Sequence, residues 1–95
     1  MAECPGVTVH IPTPLREYCD GRLDIPVTAV TVRAALDELE RRHPRLYTNL
    51  CDETGAVRRH LNIFVNTSNV RDGGGLETAL EAGDVVTILT AVSGG

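Results

Sequence analysis

Three segments in which apolar and polar residues alternate predict the first strands of this chain. The alternation covers residues 7–11, 23–27 and 61–66, and its period of two is that of a strand with one buried face. Pro26 lies inside the second segment and cannot donate a ladder hydrogen bond, so we expect this strand at an edge of the sheet. Prolines at positions 12 and 14 end the first segment, and residues 12–22 are expected to form a loop.

A helix is predicted after the second strand. Thr31 is its expected N-cap, and Pro44 disfavours the helical conformation at His43, so the helix should end there. The apolar face repeats at i, i+3, i+4 and i+7 and consists of Val32, Ala35, Leu36 and Leu39. Opposite charges four residues apart predict two exposed ion pairs, Asp37 with Arg41 and Glu38 with Arg42. A short helical turn is expected at residues 46–50.

The second half of the chain predicts loops, turns and a last strand. Residues 51–59 should form a loop, residues 67–69 should turn the chain, and Val70 is expected to begin a short fourth strand. Three glycines at 73–75 predict a flexible loop, followed by a helical turn from Leu76 to Leu80 with Gly83 as its C-cap. The apolar run at residues 85–89 is typical of a central strand with both faces covered, and this strand is expected to end near Val92.

The order of these elements is strand, strand, helix, strand, short strand, helical turn, strand. It predicts an α+β fold in which a mixed sheet of four to five strands carries one main helix on one face. This is the β-grasp plan, as in ubiquitin. A length of 95 residues fits one domain, so residues 1–95 are interpreted as a single domain with a flexible C-terminal tail at residues 93–95.

Composition narrows the classes of function. The net charge of −4, scattered arginines and the absence of lysine disfavour a nucleic-acid partner, and an acidic chain suits a partner with a basic docking face. The cysteines, Cys4, Cys19 and Cys51, form no CxxC pair, which argues against disulfides and structural zinc and fits a reducing cytoplasm. No apolar stretch has the length of a membrane span, so a cytoplasmic protein without membrane contact is expected.

Candidate catalytic groups are sparse. His10, His43 and His60 lie far apart in sequence and have no acid or cysteine at metal spacing, so neither a metal site nor a catalytic role is expected for them. Cys19 and Cys51 have no neighbour that obviously lowers a thiol pKa. The three glycines at 73–75 are not followed by the lysine and hydroxyl residue of a phosphate-binding loop.

The C-terminal end offers the most specific chemistry. Ser93, Gly94 and Gly95 follow the predicted last strand, and glycines without a Cβ atom can pass through a narrow channel. A carboxylate on such an end can reach deep into the active site of another protein. The alternative, a frayed terminus with incidental glycines on a binding module, stays open at this point.

Three stretches of the sequence resemble the ubiquitin-like sulfur carriers of the ThiS, MoaD and CysO group, with the CysO type the most similar. They are LNIFVNTSNVR at 61–71, GGLETALEAGDVVTIL at 74–89 and the final AVSGG. The most specific pattern is Leu80, Gly83 and Asp84 ahead of the last strand and the terminal glycines. Thr90 departs from the family, many members of which have proline near this point.

The resemblance implies a carrier that is not itself an enzyme. An E1-like adenylyltransferase would use ATP and magnesium to adenylate Gly95, and a persulfide on a rhodanese-type domain would convert the adenylate to a thiocarboxylate. The carrier would bind no cofactor or metal of its own. Its sulfur would pass to a pyridoxal-phosphate-dependent cysteine synthase, followed by a metalloprotease-type hydrolase, or to another synthase.

The destination of the sulfur stays open in the sequence. Cysteine or a secondary metabolite such as a thiosugar is favoured, while thiamine and a thiolated RNA base are further options. A small subunit of molybdopterin synthase and a ubiquitin-like protein modifier are the alternative functions.

Strand parity predicts a docking surface for the partner. If Ile63 and Ile88 face the helix, Phe64 and Leu89 must point to the open face of the sheet. Exposed apolar residues on a small domain often mark a partner site, although Phe64 partly covered by a loop is the alternative. Ala91 and Val92, next to the tail, are assigned to the same predicted surface.

Overall fold

A mixed five-stranded sheet forms the framework of the computed structural model, which describes residues 5–90 apart from the side chain of Asp72. The strands are β1 (Gly6–His10), β2 (Asp24–Thr28), β3 (Leu61–Val65), β4 (Ser68–Asn69) and β5 (Val85–Thr90). Their order across the sheet is β2-β1-β5-β3-β4. β1 and β5 are parallel, and the other neighbouring pairs are antiparallel. The α+β prediction and the number of strands are confirmed.

The predicted positions of the second and last strands are also confirmed. β2 is an edge strand, and Pro26 within it lies opposite Thr8 of β1. β5 is the middle strand and pairs with both β1 and β3. The expectation that both faces of β5 are covered is wrong, because Val85 and Leu89 are 39% and 44% exposed. Because the helices pack on one face of the sheet only, every second residue of this apolar run points away from them, towards the open face.

The main helix, α1 (Val32–Arg42), begins and ends as predicted. The Thr31 hydroxyl accepts a hydrogen bond from the backbone N–H of Ala34 at 3.1 Å, which caps the first turn. The apolar face is fully buried and consists of Val32, Ala35, Leu36 and Leu39. The N–H of His43 donates to the carbonyl of Leu39 at 2.7 Å and closes the helix.

The two ion pairs predicted on α1 are wrong. Arg41 instead pairs with Glu38 at 2.7 Å, three residues away, and Arg42 donates to the carbonyl oxygen of Pro26 at 2.6 Å. Residues three and four apart are both neighbours on a helix surface, so spacing alone does not select the partner. Arg42 is drawn away because β2 passes close to its side chain.

The predicted helical turn at 46–50 is a longer helix, α2 (Pro44–Leu50). It begins at Pro44, which fits because a first-turn residue needs no N–H donor. The predicted loop at 12–22 contains a 3-10 helix, Thr13–Cys19, whose Leu15 and Cys19 are buried. These two side chains join the core, and their burial explains why the segment is ordered.

Two short elements of the second half differ from prediction. β4 precedes Val70, which begins a 3-10 turn (Val70–Asp72) and not a strand. The helical turn predicted from Leu76 is a 3-10 turn at Gly75–Glu77 that ends at Thr78. Gly83 therefore caps no helix. It has φ +89° and lies in a turn in which the N–H of Asp84 donates to the carbonyl of Glu81 at 3.0 Å.

Aliphatic side chains from the inner face of the sheet and from both α-helices build the core. The fully buried large side chains are Ile11, Ile25, Leu36, Leu39, Leu46, Leu50, Leu61, Ile63, Ile88, Val9, Val32 and Val86. Within the described residues, no polar or charged side chain is buried. In the same part of the chain, none of the helices is long and apolar enough to span a membrane.

Candidate functional site

The end of β5 carries the segment to which the sequence assigns the chemistry. Thr90, the last described residue, lies opposite Leu61 at the start of β3. The predicted tail (Ser93, Gly94 and Gly95) and the two predicted docking residues Ala91 and Val92 lie outside the described residues. Five residues follow Thr90, and an extended chain of that length reaches at most about 17 Å. The Gly95 carboxylate can therefore lie no farther than this from Thr90, at the end of the middle strand of the sheet.

The start of β5 is tied to both neighbouring strands. The N–H of Gly83 donates to the carbonyl of Gly6 at 2.9 Å, and the N–H of Thr8 donates to the carbonyl of Asp84 at 3.1 Å. On the other side, the N–H of Val85 donates to the side-chain oxygen of Asn66 at 3.1 Å. These bonds fix where the central strand begins and therefore where its far end lies.

Asp84 completes this arrangement with its carboxylate. One oxygen accepts from the backbone N–H of Glu81 at 2.9 Å, and the other accepts from the side-chain amide of Asn66 at 3.1 Å. These two hydrogen bonds, the backbone one first, lower the pKa of the Asp84 carboxyl below its ordinary value. Asn66 itself has φ 56°, a conformation that asparagine tolerates better than most residues.

The family pattern Leu80, Gly83 and Asp84 therefore has a structural meaning. Leu80 is buried in the core, Gly83 takes a positive φ in the turn, and Asp84 bonds both the turn and Asn66. A residue with a Cβ atom would be strained at the backbone angles of Gly83. The pattern helps to set the register of β5.

The parity on which the docking prediction depends is confirmed. Ile63 and Ile88 are buried on the helical side of the sheet, so their neighbours Phe64 and Leu89 belong to the opposite, open face. Phe64 is half-buried beside Thr87, and Leu89 is exposed beside Asn62. That a partner docks on this face stays a prediction. Sequence reasoning missed Val85 on the same face, although its spacing from Leu89 gives the same parity.

A hydrogen-bonded histidine–aspartate pair lies on the same open face. Nδ1 of His10 lies 2.9 Å from Oδ1 of Asp24, and the two residues are directly opposite in β1 and β2. The exposed strand position expected for His10 is half-exposed in the structure. The partner was missed because it lies 14 residues away and only the hairpin register brings it close.

The two described thiols are buried, which fits the sequence interpretation that they are not nucleophiles. Cys19 and Cys51 are free, and burial raises the pKa of each thiol. A hydrogen bond with Tyr47 opposes the effect at Cys51 but does not outweigh it. Cys4 lies outside the described residues. Among residues 5–90, no group of His, Cys, Asp and Glu side chains has the arrangement of a metal site.

Basic residues gather next to the end of β5, contrary to the expectation that the arginines are scattered. Arg58, Arg59 and His60 directly precede Leu61, the residue opposite Thr90. Arg71 joins them by donating to the carbonyl of Leu61 at 3.0 Å. The consecutive run at 58–60 was visible in the sequence, but its position beside the tail required the sheet topology.

Thr90 lies at a position where proline is compatible with the sheet. Asn66 donates to the carbonyl of Val85 at 2.8 Å, and hydrogen-bonded and non-hydrogen-bonded pairs alternate along an antiparallel ladder. Leu61 and Thr90 are therefore a non-hydrogen-bonded pair, and the N–H of Thr90 points away from β3. The register of β1 with β5 ends earlier, at Thr87. A proline at position 90 would remove no ladder hydrogen bond.

Comparison with known proteins agrees with the fold. The model of the ThiS family matches residues 9–95. The chain is 42% identical over 92 residues to the sulfur carrier protein CysO of Mycobacterium tuberculosis, covering 95% of this chain and 99% of that protein.

Two solved structures extend the comparison. A chain in the crystal structure of the Amycolatopsis orientalis BexX/CysO complex superposes with a TM-score of 0.85 at 40% identity, covering 94% of this chain and 99% of that one. The small archaeal modifier protein 1 of Methanosarcina acetivorans gives a TM-score of 0.86 at 29% identity over 99% of this chain and 100% of that one. A family match that spans most of the chain, together with this fold, means that the chain belongs to the ThiS family and is a ubiquitin-like, β-grasp sulfur carrier protein.

Proposed function

We propose that the C-terminal carboxylate of Gly95 is the group that carries sulfur, as a thiocarboxylate. The observation that supports this most is the anchoring of β5: this strand lies in the middle of the sheet, is bonded to both neighbours at its start, and ends five residues before Gly95. The ThiS family match extends to the last residue and supports the same proposal. The folded domain fixes the point from which the tail begins, and the tail presents the reacting carboxylate of Gly95.

The chemistry proceeds in two balanced steps. A carboxylate oxygen of Gly95 attacks the α-phosphorus of ATP, pyrophosphate leaves, and an acyl-adenylate forms. A sulfur donor at the oxidation level of sulfide then attacks the carbonyl carbon, AMP leaves with the C–O bond electrons, and the thiocarboxylate remains. ATP and magnesium would be bound by the activating enzyme, which would supply the electrostatic stabilisation of the transferred adenylyl group and of the departing pyrophosphate. The carrier contributes the carboxylate and its position.

The proposed acceptor is an enzyme of cysteine biosynthesis. The 42% identity to the CysO carrier of M. tuberculosis supports this assignment. The thiocarboxylate sulfur would add to an aminoacrylate on a pyridoxal-phosphate-dependent synthase, and a hydrolase would then release cysteine from the carrier. ATP-driven activation and free thiols fit a cytoplasmic protein. A synthase of a sulfur-containing secondary metabolite is the other proposed acceptor, and the likeness to a chain of the BexX/CysO complex supports binding to a partner protein.

The open face of the sheet is the proposed docking surface for these enzymes. Phe64 and Leu89 lie on this face, and Ala91 and Val92 continue from the end of β5 towards the tail. An apolar surface beside the tail would be buried against the partner when the tail enters its cleft. The surface would thus align the tail with the partner's active site.

A second candidate function is that of a protein modifier. The TM-score of 0.86 with the small archaeal modifier protein 1 supports it. In that case the activated Gly95 would form isopeptide bonds with lysines of other proteins, while self-chains through lysine cannot form because this chain contains none. Isopeptide-linked adducts in a cell extract would distinguish a modifier from a pure sulfur carrier.

Pyrophosphate exchange tests the proposed chemistry at Gly95. With an activating enzyme of a ThiS-family carrier, the full chain should promote exchange of labelled pyrophosphate into ATP, and deletion of Gly95 should abolish it. Gly6→Ala is the matched control, since a Cβ atom there meets nothing within 4 Å and the residue lies at the other end of the sheet. Unchanged exchange after deletion of Gly95 would mean that the glycines are incidental.

A further inference from the structure

Four basic residues beside the start of β3 form a positive surface that the proposed chemistry does not use. Arg58, Arg59, His60 and Arg71, which we call the β3 basic rim, belong to the loop before β3 and to the 3-10 turn Val70–Asp72. Two of them are held by backbone oxygens: Arg58 donates to the carbonyl of Thr48 at 2.9 and 3.1 Å, and Arg71 donates to the carbonyl of Leu61. Arg59 and His60 are exposed.

Within the described part of the chain no rim side chain forms an ion pair, although the charge of Arg58 acts on the nearby Asp52 carboxylate and helps to lower its pKa. The ion pairs found there are His10 with Asp24 and Arg41 with Glu38, and neither involves the rim. The nearest carbonyl contacts of Arg71 are neutral, so they orient its guanidinium without cancelling its charge. The exposed Arg59 and Arg71 therefore supply most of the positive charge that the rim presents to solvent.

The position of the rim relates it to the tail. Leu61, which directly follows the rim, lies opposite Thr90, and the Cα atoms of such a non-hydrogen-bonded pair are about 4.5 Å apart. The chain leaves the sheet at this point with five residues to its terminus. When those residues enter a cleft, the rim faces the protein surface around the mouth of that cleft.

The local charge contradicts the interpretation drawn from the whole chain. A net charge of −4 suits a basic partner, but charges act over a screening length of about 8 Å in physiological salt. At the edge beside the end of β5, the exposed Arg59 and Arg71 therefore matter more than acidic residues farther than this length from them. Nucleic acid is disfavoured as the occupant because the chain as a whole has 13 acidic residues against nine basic ones.

We propose that the β3 basic rim docks against a cluster of carboxylates at the mouth of the activating enzyme's tail-binding cleft. This inference rests on the proposed function and adds the charge of the partner's surface to it. Complementary charges at a rim raise the rate of association and fix orientation more than they strengthen the chemical step. Arg59 is the residue to test, because its side chain is exposed and forms no hydrogen bond or ion pair among the described residues, while its backbone carbonyl accepts from Arg71.

The test compares charge reversals of equal size at two places. Arg59→Glu, Arg59→Gln and the remote control Arg41→Glu are each prepared in a chain lacking Gly95, and their dissociation constants with the activating enzyme are measured by fluorescence anisotropy. Arg41 is exposed on α1, and its surface ion pair contributes little to stability. The same substitutions in the full chain are assayed for thiocarboxylate formation, with folding checked by circular dichroism.

We expect Arg59→Glu to weaken binding by roughly tenfold at low salt, Arg59→Gln by less, and Arg41→Glu by less than about twofold. The difference in dissociation constant between Arg59→Glu and the wild type should decrease as the salt concentration is raised, because surface charges are screened. In the full chain, KM for the carrier should rise while kcat stays unchanged.

Four results would overturn the inference. Equal effects of Arg59→Glu and Arg41→Glu would indicate a response to net charge alone, and effects independent of salt would exclude a charge-pairing rim. Tighter binding or faster thiolation after Arg59→Glu would mean that the rim holds the chain's own terminal carboxylate. A lowered kcat with an unchanged dissociation constant would assign Arg59 to the ATP phosphates. If the wild-type chain binds but is never thiolated, the proposed function fails, and the dissociation constants alone decide on the rim.

Discussion

Asp84 shows how one side chain holds the start of the central strand. Its carboxylate accepts hydrogen bonds from Glu81 and Asn66, while its backbone carbonyl accepts from Thr8. The sequence singled out Asp84 as part of a family pattern, but the role of Asn66 was not predicted. The two residues are 18 positions apart, and only the β3–β5 register brings them together.

Loss of the Asp84 carboxylate should make the protein less stable and should make its stability less sensitive to acidic pH. The pKa of Asp84 is lowered in the folded state, so its contribution is present above the unfolded pKa of about 3.9 and is lost as pH falls through the folded pKa. We expect the Asp84→Asn variant to have a lower Tm than the wild type near neutral pH. As the pH is lowered to the acidic range, the Tm of the variant should decrease less than the Tm of the wild type. Thermal melts followed by circular dichroism measure both.

Asp37→Asn is the control for this measurement. Asp37 is exposed on α1 and has no hydrogen bond among the described residues, so its substitution should leave the Tm profile close to that of the wild type. A profile of Asp84→Asn that overlays the wild type at every pH would show that the carboxylate does not stabilise the turn.

Among the helices and strands, those in which apolar side chains repeat with a clear period were predicted correctly from the sequence. β1, β2, β3 and α1 have regular repeats of apolar side chains, and their buried faces were assigned correctly, whereas the continuous apolar run of β5 was wrongly expected to be covered on both faces. The 3-10 helix Thr13–Cys19 has no such repeat, and two prolines near its start favoured a loop. What orders it is burial of Leu15 and Cys19 against the rest of the core, which local sequence does not reveal.

The alternation of hydrogen bonds along β5 makes a sharp prediction about two adjacent residues. Thr90→Pro should leave the Tm nearly unchanged, because the N–H of Thr90 points away from β3. Leu89→Pro should lower it clearly, because Leu89 forms a hydrogen-bonded pair with Asn62 and a lost net hydrogen bond costs about 1 kcal/mol before any steric cost. Thermal unfolding of the two variants gives the comparison. Equal destabilisation would contradict the deduced ladder.

At the scale of the whole molecule, the sheet has one face for the core and one for a partner. The described apolar residues of the open face, Phe64, Val85 and Leu89, lie on β3 and β5, the two strands nearest to the exit of the tail. Sequence parity predicted this division, because the side chains of a strand alternate between faces. Parity could not predict the β3 basic rim, because the position of the rim beside the tail depends on the start of β3 lying next to the end of β5.

The docking surface is tested by placing a charge on it. Leu89→Asp and Phe64→Asp should fold but should raise KM for the carrier in adenylation, because burying a carboxylate against an apolar partner surface is unfavourable. Val30→Asp is the matched control, as Val30 is 50% exposed outside this face. Since Phe64 is half-buried, Leu89→Asp remains informative if Phe64→Asp is unstable. Wild-type KM values for Leu89→Asp would exclude the surface.

The mass of the intact chain shows whether Gly95 carries sulfur. The carrier is incubated with ATP, magnesium, sulfide and an activating enzyme of a ThiS-family carrier, and its mass is compared with that of a chain lacking Gly95 treated in the same way. The full chain should gain the difference between one sulfur and one oxygen atom, with the gain located in the C-terminal peptide, and the shortened chain should gain nothing. An unchanged mass of a chain that binds the enzyme, or the same gain in both chains, would contradict this prediction.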